Sequence, residues 1–217
     1  MNLEIAKQVA ALLLQAGAVK LSPYQPFTWA SGWKSPIYCD NRLTLSYPAI
    51  RSYIKNALAQ VAKHYFPEAE AIGGVATAGI PQGTLLADLL ELPFLYIRPK
   101  PKEHGMENLI EGKILPQAKV LLVEDLISTG GSSLKAAQAV RDAGMQAYGM
   151  LAVFSYDFDI AREHFQRAQV PLQVLCTYPV LLQEAVAQNL VSQEEVAWLQ
   201  QWRAAPDQWQ ALKKTSL

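Results

Sequence analysis

Leu3, Ile5, Ala6, Val9, Leu12 and Leu13 recur at helical spacing along the first stretch of the chain, with acidic Glu4 among them, a pattern that predicts an amphipathic helix rather than a signal peptide. Residues 21–42 then break the rhythm with prolines and glycines, and short β-prone pieces at 27–29 and 36–40 predict a small irregular β segment. Ser46 and Pro48 introduce a longer helix, in which Ile50, Tyr53, Ile54, Ala57, Leu58 and Val61 share a face and which ends near Pro67. From Ala71 the period changes. Short apolar runs at 71–76, 93–97, 119–125, 147–154 and 171–177 alternate with amphipathic stretches at 81–91 and 132–144. Runs of that kind are parallel strands buried on both faces, so the expected class is α/β, a doubly wound, mainly parallel sheet flanked by helices. The remainder from Pro179 onward reads as helical, with Trp198, Trp202 and Trp209 spaced to share an apolar face that packs back on the sheet.

The longest stretch without a period begins at Arg98 and ends near Pro116, which predicts a mobile functional loop. The 217 residues suit one domain, organised as an N-terminal hood of about residues 1–45, a core of about 46–175 and C-terminal helices of about 178–217. Lys plus Arg and Asp plus Glu stand at 19 each, which leaves no basic field for nucleic acid, so any anion site has to be local. Cys39 and Cys176 have neither CxxC spacing nor nearby histidines and read as buried thiols. No run approaches the roughly 18 apolar residues that span a bilayer, and a soluble cytoplasmic protein is expected.

The chemistry concentrates after the 119–125 strand. Glu124 and Asp125 stand at its carboxyl end, where open parallel sheets bind ligands, and Ser128, Thr129, Gly130, Gly131 and Ser132 follow at the start of a helix. Hydroxyls and unhindered backbone N–H groups at a helix N-terminus suit a phosphate. The carboxylates would repel a phosphate but can accept hydrogen bonds from ribose hydroxyls, so the two halves together describe a ribose 5-phosphate. A second strand-to-helix turn, residues 73–81, is again built of small residues suited to close approach of an anion. Pro99 and Pro101 favour an extended backbone, which would line up Arg98, Lys100, Lys102 and His104 along one edge, a set of donors suited to pyrophosphate.

From Val120 to Ser132 the chain resembles the signature for 5-phosphoribosyl 1-diphosphate (PRPP) in type I phosphoribosyltransferases. The resemblance implies that Glu124 and Asp125 contact the ribose hydroxyls and that Leu126, Ile127, Ser128, Thr129, Gly130, Gly131 and Ser132 complete the PRPP site. It also implies that Ala76, Thr77, Ala78 and Gly79 form the pyrophosphate loop. Arg98, Lys102 and His104 resemble the catalytic loop of the orotate phosphoribosyltransferases, in which the loop beginning at Arg98 acts across a homodimer interface and Lys102 is catalytic. Ser31-Gly32 and Ser35-Pro36 resemble that family's base-binding hood, which implies that Lys34, Tyr38 and Cys39 lie near orotate with Ser128 on its other side. Phe27, Trp29 and Trp33 read as packing aromatics. Some members carry a lysine at Ala30, a Tyr-Lys pair at Thr77 and Ala78, a lysine at Pro99 and an arginine near Tyr156; this chain departs from the pattern at each place.

The implied activity is transfer of ribose 5-phosphate from PRPP to orotate, with Mg²⁺ bound mainly through PRPP and no metal held directly by the protein. The implied partners are the two small substrates and a second copy of the chain, with no nucleic acid and no membrane. A purine phosphoribosyltransferase would share the acid pair and phosphate turn without the Arg98 loop or the hood. A noncatalytic PRPP sensor would carry an added nucleic-acid-binding surface. About 60 residues follow the region of resemblance, which ends near residue 155, too few for a fused decarboxylase barrel of about 250.

Overall fold

Asn2 opens the first helix, α1 (Leu3–Gln15), by accepting the N–H groups of Glu4 and Ile5 on its side-chain oxygen. The computed structural model of the chain describes residues 2–29, 32–100 and 109–209. Strand β1 (Val19–Leu21) follows α1 and pairs antiparallel with β4 (Ile37–Cys39), while β2 (Phe27–Thr28) and β3 (Lys34–Ser35) form a small hairpin between them. These four pieces are the hood. Strands of two and three residues carry too few alternations to be read as a period, which is why β1 and β3 escaped the sequence pattern. A 3-10 helix (Asn41–Ser46) leads into α2 (Pro48–Tyr65), whose proline sits in the first turn where its missing N–H costs nothing.

The core is a six-stranded sheet built of β5 (Ala71–Val75), β6 (Phe94–Ile97), β7 (Ile110–Glu111), β8 (Lys119–Ile127), β9 (Gln146–Ser155) and β10 (Leu172–Thr177), in the order β10-β9-β8-β5-β6-β7. Five strands are parallel, as expected, and β7 alone runs antiparallel against β6. Helix α3 (Gly79–Leu90) connects β5 to β6, and α4 (Gly131–Asp142) connects β8 to β9. The two crossovers move in opposite directions along the sheet, so right-handed connections set them on opposite faces. Helices α1 and α2 lie on the α3 side, and α5 (Asp159–Arg167) packs beside α4. The central strand shows the cost of this burial in its composition: Val120, Leu121, Leu122 and Val123 are all fully buried.

Two expectations need correction. The aperiodic stretch does not run unbroken to Pro116, because Tyr96 pairs with Glu111, Ile97 with Ile110, and the Arg98 N–H donates to Leu109 O at 2.7 Å. A two-residue strand gives no periodic signal, and it pins the two ends of the loop together. The C-terminal tryptophans, second, do not share one face. Helices α6 (Tyr178–Ala187) and α7 (Gln193–Ala204) are separate, α7 being opened by a reciprocal Ser192–Glu195 capping box, and Trp209 lies beyond the end of α7. Trp198 meets Trp209, with ring centroids 6.2 Å apart. Trp202 points elsewhere: fully buried, it contacts Trp29, Tyr156, Phe158 and Tyr178, and its indole N–H donates to the Lys34 carbonyl in the hood at 3.2 Å. Helix α7 thus clamps the hood onto the carboxyl end of the sheet. Trp29 and Phe27 are packing aromatics as read from sequence, the latter against Tyr38.

Candidate active site

Strand β8 continues past the acid pair to Ile127, so Glu124 and Asp125 lie within the strand and not beyond its end. Glu124 is buried, at 6 % exposure, and its carboxyl group is turned inward. One oxygen accepts the Asp125 N–H at 3.1 Å and the other accepts the hydroxyl of buried Ser133 at 3.1 Å. Burial first, and then the charge of Asp125, pushes the Glu124 pKa up to about 9. Asp125 is half-buried and is the more exposed member of the pair. Burial raises its pKa as well, while the hydrogen bond with Glu124 and the charge of Arg42 oppose that rise.

The sign of the resulting pH effect follows directly. The Glu124 carboxyl is neutral in the folded protein at pH values where the unfolded chain ionises, so its contribution to stability is complete below about 4.5 and is lost as pH rises toward about 9. Glu124→Gln keeps the shape and removes the titration. Thermal unfolding of the ligand-free variant between pH 5 and 9 is expected to show a shallower loss of stability with pH than the parent, and parallel curves would refute the assignment.

The turn after β8 has the form expected of a phosphate cradle. Gly130 adopts φ +82°, and a side chain there would meet the Phe165 ring at 2.7 Å, so glycine is required on both counts. Gly131 and Ser132 begin α4 and are exposed, while Ser128 and Thr129 are half-buried. His164 holds the turn from outside through Nδ1, 3.0 Å from Thr129 O. The second turn, 76–79, lies between β5 and α3 and contains a cis peptide between Ala76 and Thr77. Gly79 is pressed against β8, and a Cβ there would run into Val123 O. Because β5 is the parallel neighbour of β8, with Gly74 opposite Val123, the two turns open side by side above the acid pair. Arg98 follows β6, the next strand, and forms an ion pair with Glu111 at 3.4 Å. Ala76, Arg98 and Ser132 line a single cavity of about 520 Å³ together with Lys135.

The hood meets the site through Asn41. Buried at 1 % exposure, Asn41 donates from Nδ2 to Asp125 O at 2.7 Å and accepts the Cys39 thiol at 3.2 Å. Cys39 and Tyr38 are thereby set next to β8, with Cys39 half-buried and Tyr38 exposed; Cys176 is fully buried in the core. Lys34 is on the hairpin, its ammonium bonded to Thr28 Oγ at 2.7 Å. Lys102 and His104 lie outside the described residues. Sequence reasoning missed Asn41, Ser133, Lys135 and His164. Only Lys135 had a legible signal, its position one helical turn after Ser132; the others depend on contacts between residues distant in the chain or on which face of a turn is buried. Among the described residues no three His, Cys, Asp or Glu side chains converge on a possible metal position. No helix among them is long and apolar enough to cross a membrane.

No protein-family model matches the chain. Individual relatives do. It is 53 % identical over 203 residues to an orotate phosphoribosyltransferase of Cytophaga hutchinsonii, covering 94 % of this chain and 97 % of the relative. Identity is also 53 % over 205 residues to the orotate phosphoribosyltransferase of Porphyromonas gingivalis, with 94 % and 98 % covered. Among solved structures, orotate phosphoribosyltransferase from Aeropyrum pernix superposes with a TM-score of 0.70 at 29 % identity, over 81 % of this chain and 98 % of that one. UMP synthase of Leishmania donovani superposes with a TM-score of 0.75 at 25 % identity; 91 % of this chain is covered, and it spans 42 % of that longer protein.

Proposed function

The chain belongs to the orotate phosphoribosyltransferase family, which joins PRPP and orotate to give orotidine 5'-monophosphate and pyrophosphate in pyrimidine biosynthesis, and we propose how its residues divide that work. The observation that carries the reading is the pair of glycine-bearing turns, 76–79 and 128–132, opening side by side over Asp125 at the carboxyl end of β8. The exposed N–H groups of Gly131 and Ser132 and the hydroxyls of Ser128, Thr129 and Ser132 hold the 5-phosphate. Asp125 accepts the ribose hydroxyls, and neutral Glu124 backs it. The 76–79 turn receives the pyrophosphate, joined by Arg98, Lys102 and His104 from the loop of the neighbouring subunit. Orotate lies between the hood, at Tyr38 and Cys39, and Ser128, with Lys34 at its edge.

In this arrangement N1 of orotate, its proton passed to water, attacks C1 of PRPP from the face opposite the pyrophosphate, forming the C1–N1 bond as the C1–O bond breaks and the electron pair leaves with pyrophosphate. Charge separates in the transition state. The carboxylate of Asp125 lies near the positive ribosyl carbon, and the cations of the Arg98 loop meet the negative leaving oxygens. Mg²⁺ would supply further neutralisation of the pyrophosphate when bound, carried in on PRPP oxygens with the half-buried carboxylate of Asp125 available beside them. The enzyme acts as a homodimer in the cytoplasm, each Arg98 loop serving the neighbouring site.

Purified protein given PRPP and Mg²⁺ is expected to consume orotate, followed by its absorbance, and to leave adenine, hypoxanthine and uracil untouched. Turnover of adenine or hypoxanthine would overturn the base assignment, and PRPP binding without turnover of any base would favour a sensor.

A further inference from the structure

The backbone of the phosphate turn is gripped by a side chain from another element. His164, in the last turn of α5, places Nδ1 3.0 Å from the carbonyl oxygen of Thr129. A carbonyl only accepts, so Nδ1 carries the proton and donates it. The next residue, Phe165, is 3 % exposed and packs its ring where a Cβ on Gly130 would point. Thr129 O and one side of Gly130 are thus both pressed against α5. That helix is itself anchored, because Arg141, in the last turn of α4, donates to Ala168 O at 2.9 Å and to Gln169 O at 3.2 Å, just past the end of α5. The two helices are tied at opposite ends of α4, by Arg141 at its last turn and by His164 at the turn that leads into it.

A trans peptide unit is flat, and its N–H points opposite to its C=O. Holding Thr129 O against α5 therefore turns the Gly130 N–H away from α5, and it sets the frame from which the first N–H groups of α4, which have no partner within the helix, project. Gly130, at φ +82° and without a Cβ, is the residue of the turn whose backbone has the most freedom to move off this arrangement. The brace acts on the peptide unit that precedes it.

We propose that His164 is a positioning residue for PRPP: its bond to Thr129 O preorganises the phosphate turn and so sets the affinity of the site for the 5-phosphate, without touching the substrate. The inference rests on the 128–132 turn being the cradle of that phosphate. Donors fixed in place before binding lose less freedom when the phosphate arrives. The 76–79 turn is built on β5 and α3, so the brace acts on one end of PRPP and not on the other.

His164→Ala removes the donor, and His164→Asn restores an N–H close to the position of Nδ1. His164 is half-buried near a helix end, and both variants are expected to fold. Ribose 5-phosphate and pyrophosphate, each used to inhibit the full-length enzyme against PRPP, report on the two turns separately. In His164→Ala the inhibition constant of ribose 5-phosphate and KM for PRPP are each expected to rise about five- to tenfold, the worth of one hydrogen bond. The inhibition constant of pyrophosphate and KM for orotate should stay within about twofold of the parent, and His164→Asn should bring ribose 5-phosphate back to within about twofold. Parental inhibition by ribose 5-phosphate in His164→Ala would overturn this inference alone. Equal weakening of both inhibitors, or a His164→Asn enzyme as impaired as His164→Ala, would do the same by reducing His164 to a packing residue. A parent protein in which ribose 5-phosphate does not compete with PRPP would overturn the reading of the turn as well.

Discussion

Lys102→Ala is expected to lower kcat by about two to three orders of magnitude, the scale on which removing one preorganised charge from a developing anion acts. The argument is chemical. As the C1–O bond breaks, negative charge grows on the departing oxygen and spreads over the phosphate that carries it, where a cation stabilises it and a carboxylate such as that of Asp125 cannot. Arg98, the first residue of the same loop, shares its charge with Glu111 at 3.4 Å, and Lys102 is the cation the resemblance makes catalytic. Steady-state kinetics with both substrates tests this, and near-parental turnover would sink it. The same variant also tests the trans arrangement of the loop. Mixed with Asp125→Asn under conditions that exchange subunits, it should recover activity, because a hybrid dimer holds one site with intact acids facing one intact loop. No recovery in demonstrated hybrids would place the loop in its own subunit.

Trp202→Ala is expected to cost about 3–5 kcal/mol of folding stability, the range for truncating a large buried aromatic. Four rings contact Trp202 and none can move into its space without leaving its own packing, because Tyr178 is tied to Leu199 and Trp29 donates to Ile37 O at 3.3 Å. For a chain of this length the loss corresponds to a fall in Tm of roughly 10 °C. The variant also loses the indole bond to the Lys34 carbonyl, so among molecules that remain folded KM for orotate should rise more than KM for PRPP. A Tm within about 2 °C of the parent would show that the cluster does not seat the hood.

The two turns and the sheet were legible because they rest on local chemistry. Val120 to Val123 can only be a doubly buried strand, and a Ser-Thr-Gly-Gly-Ser turn after two acids has few uses. What the sequence hid depends on distance along the chain. Nothing near Asn41 announces that it will donate to the Asp125 carbonyl, and nothing near Ser133 announces that its hydroxyl will donate to Glu124. The acid pair reads as two equivalent carboxylates, and only the continuation of β8 to Ile127 turns one inward and leaves the other half-open. Trp202 and Trp209 look like members of one helical face until Ala204 ends α7 and sends them apart.

The bond from the Trp202 indole to the Lys34 carbonyl joins residues 168 positions apart in a chain of 217. It sets an order of events at the ribosome. All six strands of the sheet, with both turns and the acids beneath them, are in hand once Thr177 has emerged, whereas the hood is made first and must wait for α7, made almost last, before it is clamped in place. A C-terminally clipped chain would therefore keep the sheet, both turns and the acids while losing the bond by which α7 seats the hood.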